Sequence, residues 1–113
     1  MLLPNADAAI IAPAKLRDYL LSASHPVGRF KARFFRALGF SAERWPELEA
    51  ALRTQHLTQP VESTTAGPFG ESSTIRATLA GPGGRSSVVV SVWFRARGAT
   101  APHFVTAYPG GEK

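Results

Sequence analysis

The chain contains no cysteine, which excludes a disulfide framework, thiolate catalysis and every cysteine-based zinc site. Its three histidines are scattered and its eight acidic residues are dispersed, so we expect neither a metal site nor a cofactor. Also missing are a G-x-x-x-x-G-K-[ST] phosphate loop, a G-x-S-x-G nucleophile elbow and an H-E-x-x-H motif. The chemistry that remains uses cations, hydroxyl groups and an imidazole.

No apolar run approaches the roughly 20 residues that span a bilayer, and we expect no membrane partner. The N-terminal stretch lacks the basic leader of a signal peptide, so we expect a cytoplasmic protein or a domain derived from a longer exported one. A length of 113 residues, 44% of them hydrophobic, suits one packed domain. The formal charge of +5 suits a phosphate-bearing or acidic partner.

Helical periodicity runs through the first half of the chain. Pro13 suits the first position of a helix, and the apolar spacing of Leu16, Tyr19 and Leu20 predicts that this helix extends to about Leu21. A second helix is predicted over residues 27–38, with Gly39 placed where a C-terminal glycine would stop it. Pro26 biases the preceding residue, His25, away from helical geometry, which makes His25 the expected N-cap of the second helix.

A third helix is predicted from a Ser41 cap through about Gln55. Pro46 should either kink the first turn of this helix or mark its true start. His56 follows the inward face of the same helix, and we interpret it as a packed histidine at the helix end rather than as a ligand for a metal or substrate.

After Leu57, the helix-forming residues give way to serine, threonine and glycine. This change predicts strands in the second half of the chain. One strand lies around Val61 to Thr65, a second ends at a glycine-rich turn over residues 81–84, a third covers residues 87–97, and the last runs from His103 to Tyr108. We therefore predict an α+β fold with about three N-terminal helices packed on one face of a four-stranded antiparallel sheet. The single domain 1–113 divides into a helical part, about 1–56, and a sheet part, about 57–109.

Alternation in the third strand predicts which side chains face the core. The apolar set Val88, Val90, Val92, Phe94 and Ala96 is assigned to the core face. The opposite face stays open for a ligand because the helices cover one side only. If Val105 and Ala107 join the core, this open face carries Arg76, Trp93, Arg95, Arg97, Phe104, Thr106 and Tyr108. We interpret it either as a solvated sheet face or as a surface that stacks bases and holds phosphate groups.

The second helix is basic as well as amphipathic, since no acidic residue interrupts positions 27–38. One stripe of the helix carries Arg29, Arg33 and Arg36. This stripe is either a solvated cationic face or a surface that contacts successive phosphate groups. His25 at the helix start would feel the positive end of the helix dipole, which favours a neutral imidazole that can act as a base. For His25 the alternative is a capping histidine without chemistry. Lys31 either balances charge on a phosphate or is a solvated side chain.

Two motifs carry a resemblance to known proteins. The element H-P-x-G-x-x-K-A-x-x-F is matched by His25, Pro26, Gly28, Lys31, Ala32 and Phe35, and the ending T-A-Y-P lies at Thr106 to Pro109. With the rest of the chain they resemble a bacterial domain family of unknown function that occurs alone and at the C-termini of polymorphic toxins. The T-A-Y-P ending is also similar to the last strand of the barnase, EndoU, colicin and RelE superfamily of ribonuclease folds.

The resemblance implies a toxin-type, metal-independent endoribonuclease that binds RNA, with tRNA as a candidate, on the open sheet face. It points to His25, Lys31, Thr106 and Tyr108 as catalytic residues. The open-face and helix arguments add substrate contacts at Arg29, Arg33, Arg76, Trp93, Arg95 and Arg97. In this hypothesis a base removes the 2′-hydroxyl proton, cations stabilise the phosphorane, and an acid protonates the leaving 5′ oxygen.

Other functions stay open at this point. The same basic surface fits a non-catalytic binding module for a protein or nucleic-acid partner, and a plain structural domain is a third interpretation. For a toxin, an acidic immunity or antitoxin protein would be expected to cover the cationic face. Because the second helix should pack on the core face, His25 and Lys31 would have to reach around a sheet edge to meet Thr106.

Overall fold

The computed structural model describes residues 1–22, 24–26 and 29–111, and the side chains of Arg29 and Phe30 are outside this description. The helical half contains helix α1 (Pro13–Lys15), which continues as a π-helical turn over Leu16–Leu20. Helix α2 spans Arg29–Ala37. Helix α3 (Trp45–Ala51) continues as a second π-helical turn over Leu52–His56. A short 3-10 turn precedes α1 at Ala6–Ala8.

The sheet half consists of β1 (Ser63–Gly67), β2 (Gly70–Ala80), β3 (Ser86–Ala96) and β4 (His103–Pro109). The strands pair antiparallel in the order β1-β2-β3-β4. This arrangement confirms the predicted α+β fold, in which N-terminal helices precede a four-stranded antiparallel meander.

The helix ends follow from local residue chemistry. Gly39 has a φ of 103°, and the amide of Phe40 donates to the carbonyl of Phe35 at 3.2 Å, which is the closing bond of a Schellman motif. The predicted glycine stop is therefore confirmed. Helix α3 begins at Trp45 with Pro46 in its first turn, so the proline marks the start rather than a kink. The predicted cap at Ser41 is wrong, because Arg44 occupies the N-cap position.

The core lies between the helices and one face of the sheet, and this face carries the opposite side of β3 from the one predicted. Val89, Ser91 and Trp93 are buried, whereas Val92 and Phe94 are only half-buried. Trp93 is 0% exposed. The prediction that the valines at even positions face the helices and that Trp93 lies open is therefore wrong.

A buried polar network explains why Ser91 and Trp93 face inward. The Trp93 indole nitrogen donates to the Ser91 hydroxyl at 2.9 Å, and Ser91 Oγ lies 2.7 Å from His56 Nδ1. His56 Nε2 lies 3.2 Å from the carbonyl oxygen of Ala77 on β2. His56 is thus a packed histidine at the end of the α3 segment, as predicted, and every polar group of the network has a partner.

A β-bulge reverses one further prediction. Val92 pairs with Thr106 but Trp93 pairs with Phe104, so β4 holds one extra residue, Val105, at this point. The bulge turns Phe104 into the core, where its ring lies 5.3 Å from that of Trp93. Phe104 is therefore not on the open face.

The face away from the helices is covered by its own side chains. Val90 on this face is only 1% exposed, although it does not belong to the hydrophobic core between the helices and the sheet. Its direct cross-strand neighbours are Arg76 on β2 and Tyr108 on β4. The Arg76 guanidinium also contacts Glu62 and the carbonyl oxygen of Gly110. This face is consequently not an empty platform.

Replacing Trp93 by Ala should lower the free energy of unfolding by about 3–5 kcal/mol, because it empties a fully buried site. Val92→Ala, one residue away on the opposite face, should lower it by only about 1 kcal/mol because that side chain is half-buried. Urea unfolding followed by circular dichroism measures both values. Equal losses, or a larger loss in Val92→Ala, would contradict the inward position of Trp93.

Burial lowers the pKa of His56 below its ordinary value and outweighs the opposite effect of the hydrogen bond to Ala77. The unfolded chain, whose histidine pKa is about 6.5, therefore binds this proton at higher pH than the folded protein does. The stability that depends on neutral His56 is complete above a pH of about 6.5 and is lost as the pH falls toward the folded-state pKa.

The test compares the pH dependence of unfolding in the parent chain and in His56→Gln, which keeps a donor and an acceptor at this position. Between a pH of about 8 and about 5 the parent should lose more stability than the variant, and the difference should develop below a pH of about 6.5. Identical pH dependence in the two proteins would contradict a neutral, buried His56. His25 and His103 are present in both proteins, so the comparison isolates His56.

Candidate functional site

The described residues of the H-P-x-G-x-x-K-A-x-x-F element divide between core and site. Ala32 and Phe35 are buried in the core, and Lys31 is half-buried on the flank of α2. Packing of Ala32 and Phe35 fixes the rotation of the helix about its axis, so Lys31 is directed along one side of the helix toward the neighbouring elements.

The Lys31 ammonium joins three elements of the fold. Its Nζ donates to the Tyr19 hydroxyl at 2.8 Å and to Thr106 Oγ1 at 3.1 Å, and these two oxygens lie 3.4 Å apart. Tyr19 belongs to the π-helical turn after α1, and Thr106 belongs to β4, the last strand in the sheet order. Lys31 therefore meets Thr106 at the edge of the sheet.

His25 lies beside the same group of side chains. Its ring centroid is 5.0 Å from that of Tyr19, with the rings at 84°, and its backbone amide donates to Ser22 Oγ at 3.2 Å. We call Tyr19, His25, Lys31 and Thr106 the Lys31 cluster. The predicted N-cap role of His25 depends on Val27 and Gly28, which are outside the described residues.

The electrostatics of the Lys31 cluster favour negative charge. Among the described residues no carboxylate lies within ion-pair distance of Lys31. Burial raises the pKa of Tyr19, but the hydrogen bonds from Lys31 and Thr106 and the charges of Lys31 and Lys15 act in the other direction and prevail. The pKa of Tyr19 therefore lies below its ordinary value, and the surroundings stabilise its anion.

Sequence reasoning missed Tyr19, which it treated as an apolar position of the first helix. The Tyr19 ring does pack against the hydrophobic core, as its place in the apolar spacing predicts. The available signal was the phenol itself, because a tyrosine on a core-facing stripe brings a hydroxyl group that must find a partner. Its partners come from α2 and β4, 12 and 87 residues away in sequence.

Of the residues predicted for the open sheet face, Arg76, Thr106 and Tyr108 share the face away from the helices, but Trp93, Phe104 and Arg95 do not join them. Trp93 is buried beneath the helices, Arg95 shares its side of β3, and Thr106 pairs with Val92 on the opposite side. Arg95 is also paired with Glu71 at 3.0 Å. The predicted single surface of arginines, rings and a threonine is therefore wrong. The two faces of β3 are exchanged relative to the prediction, and β4 contains a bulge.

Among the remaining predicted contacts, Arg76 and Tyr108 flank Val90 on the face away from the helices. Arg76 is paired with Glu62 at 2.9 Å, and Arg97 is exposed and donates to the carbonyl of Pro68 at 3.4 Å. Tyr108 is 38% exposed, two residues beyond Thr106 on the same face of β4. Arg33 is exposed on α2, and the side chain of Arg29 lies outside the described part of the chain.

The described side chains include no group of three or more histidines and acids placed to hold a metal ion. Within the same part of the chain, no helix has the length and apolar character needed to cross a membrane. The Lys31 cluster brings three predicted site residues together with Tyr19, and it contains one cation, one imidazole and two hydroxyl groups.

Comparison with known proteins adds a family. The family model described as "Domain of unknown function (DUF6883)" matches residues 2–111. No curated protein and no solved structure matches the chain.

The contact between Lys31 and Tyr19 can be measured in a Tyr108→Phe background, in which Tyr19 is the one tyrosine left. Its ultraviolet tyrosinate absorbance should titrate below the ordinary pKa of about 10. Lys31→Met should move this titration upward, because the ammonium that stabilises the phenolate is gone. Arg85→Met removes one positive charge from the β2–β3 turn and should leave the titration in place. A Tyr19 pKa that Lys31→Met does not change would contradict the contact.

Proposed function

We propose that this chain, which belongs to the DUF6883 family, binds RNA along helix α2 and cleaves it at the Lys31 cluster without a metal ion. One observation carries the proposal. The Lys31 ammonium is held by two neutral hydroxyl groups, at 2.8 and 3.1 Å, and no described carboxylate cancels its charge. A positioned, uncompensated cation beside an imidazole is suited to a phosphodiester.

Helix α2 extends this positive region. Its sequence RFKARFFRA carries four cations and no acid. Arg33 and Arg36 are exposed, and Lys31 continues the positive charge toward Tyr19 and Thr106. Phosphate groups bound along this helix would release counterions, so binding should weaken as the salt concentration rises.

The side chains of the cluster divide the chemistry among them. His25 takes the proton of the 2′-hydroxyl, and the resulting 2′ oxygen attacks phosphorus. Lys31 has three N–H donors, of which two bind Tyr19 and Thr106, and the third is directed to a non-bridging oxygen as negative charge develops there. Thr106 holds the ammonium in place. The products are a 2′,3′-cyclic phosphate and a 5′-hydroxyl.

A second candidate function is RNA binding without cleavage. It is favoured by the same two hydrogen bonds, since an ammonium that already has two protein acceptors can serve as a structural link between α2 and β4. Both candidates require the basic helix. Only cleavage requires His25 as a proton acceptor.

A toxin-type role adds an expected partner. An acidic protein that covers α2 would neutralise Arg33 and Arg36 and block access to Lys31. Such a protein would act as an inhibitor, and expression of the chain in bacteria without it would slow growth.

Incubation of the purified chain with total tRNA in EDTA tests cleavage, because only metal-independent transfer leaves 2′,3′-cyclic phosphate ends under these conditions. His25→Ala should reduce the rate by about 10²- to 10⁴-fold, the usual contribution of a proton-transferring group. Lys31→Met should also reduce it strongly, whereas Arg85→Met, with the same change of charge on a distant turn, should not.

Binding is measured separately with a fluorescent RNA. If about five phosphates are contacted, affinity should fall roughly 10²- to 10³-fold between 50 and 200 mM salt. Salt-dependent binding without cyclic phosphate ends would support the second candidate and reject cleavage. No affinity at low salt would reject both.

A further inference from the structure

We propose that Tyr19 is the catalytic acid that protonates the leaving 5′ oxygen when RNA is cleaved at the Lys31 cluster. This inference rests on the proposed function. Expulsion of an unprotonated 5′ alkoxide is costly, so a metal-independent site requires a proton donor distinct from the base that activates the 2′-hydroxyl. The arrangement around Lys31 selects Tyr19 for this task.

The other donors of the cluster are less suitable. Lys31 would lose its positive charge by giving up a proton, at the moment when that charge stabilises the phosphorane. Thr106 carries an aliphatic hydroxyl, which is a far weaker acid than a phenol. If His25 serves as the base, Tyr19 is the remaining acid in the cluster.

The hydrogen bonds around Tyr19 leave its proton available. A phenol has one O–H donor and lone pairs that accept. Lys31 Nζ has only donors, so at 2.8 Å it occupies a lone pair of the Tyr19 oxygen. Thr106 Oγ1, at 3.4 Å, can also donate to the same oxygen because it is itself a hydroxyl. The phenolic proton is then free to be directed to a bound substrate.

The same contacts stabilise Tyr19 after it has given up the proton. The phenolate would face an ammonium at 2.8 Å and a hydroxyl at 3.4 Å, with no described carboxylate paired to Lys31. The lowered pKa of Tyr19 agrees with this arrangement. Acid strength is thus raised by the residue that also binds the phosphate.

The positions of Tyr19 and His25 suit two different proton transfers. The attacking and leaving oxygens lie on opposite sides of phosphorus in an in-line displacement, so the group that takes the proton from one differs from the group that gives a proton to the other. The ring centroids of Tyr19 and His25 are 5.0 Å apart with the rings nearly perpendicular. Their rings meet edge to face, so Tyr19 and His25 are two separate groups in one cluster, and each can serve one of the two proton transfers.

The backbone around Tyr19 is also unusual. The amide of Leu21 donates to the carbonyl of Leu16 at 2.9 Å, which is the i to i+5 bond of a π-helical turn. Leu16, Leu20 and Leu21 are all fully buried, while Tyr19 between them reaches Lys31 and Thr106. Single π-helical turns occur frequently at functional sites, where they direct a side chain that a regular helix would place elsewhere.

The proposed step is balanced as a transesterification. The bond between the 2′ oxygen and phosphorus forms, and the bond between phosphorus and the 5′ oxygen breaks. The 2′-hydroxyl proton passes to His25, and the Tyr19 proton passes to the 5′ oxygen. Tyr19 then regains a proton from solvent and His25 returns one, and nothing is oxidised or reduced.

The test uses two dinucleotide substrates that differ at one atom, the normal 5′ oxygen or a 5′ sulfur at the scissile bond. A thiolate leaves without being protonated, because a thiol is a much stronger acid than an alcohol. Tyr19→Phe should slow cleavage of the oxygen substrate by about 10²- to 10⁴-fold and change the rate on the sulfur substrate less than about tenfold. His25→Ala, which removes the base, should slow both substrates.

The outcomes separate this inference from the proposed function. If the parent chain cleaves neither substrate, the proposed function fails and Tyr19 has no acid role to play. If the parent cleaves both and Tyr19→Phe is slowed on both by the same factor, cleavage stands but Tyr19 is not the acid. Full activity of Tyr19→Phe on the sulfur substrate also proves that the variant is folded.

Discussion

A directed chain of three hydrogen bonds inside the core determines how the sheet meets the helices. A backbone carbonyl can only accept, so His56 must donate through Nε2 to Ala77, which leaves Nδ1 as an acceptor. Ser91 then donates to Nδ1 and accepts from the Trp93 indole. Each group has one partner of the right kind only when the imidazole is neutral and β3 has this face inward. A shift of one residue along β3 would bury valines instead and leave His56 without its partner.

The same chain explains what sequence could and could not predict of the fold. The order, type and approximate bounds of the elements follow from the apolar periodicity and from prolines and glycines at their ends, as at Pro13, Gly39 and the glycine-rich turn before β3. The inward face of β3 did not follow, because five apolar residues on one side outweigh, in any count of hydrophobicity, a valine and a tryptophan among serines and arginines on the other. What reverses the choice is the polar partner of Ser91, which comes from a helix 35 residues earlier.

For the candidate site, sequence motifs identified residues but not their assembly. Lys31 and Thr106 were brought together by the resemblance and are in contact, 75 residues apart in sequence. Trp93 and Arg95 were placed with them because alternate residues of a strand share a face. This placement was wrong, because the two faces of β3 are exchanged relative to the prediction. Tyr19 was overlooked because its ring satisfies the apolar pattern of its helix while its hydroxyl serves another purpose. Apolar periodicity predicts which face of a helix a side chain leaves from. It does not predict which partner the polar end of a long side chain contacts.

The choice of partners distinguishes Lys31 from Arg76 and Arg95. Arg76 and Arg95 are each paired with a glutamate, which cancels their charge locally. Lys31 is held as closely as either, but by hydroxyl groups that orient the ammonium without neutralising it. Because desolvation of an uncompensated charge is costly, such an arrangement is stable only where the cation remains partly exposed, and Lys31 is half-buried at a sheet edge. The position therefore combines a fixed geometry with a positive charge that no described carboxylate neutralises.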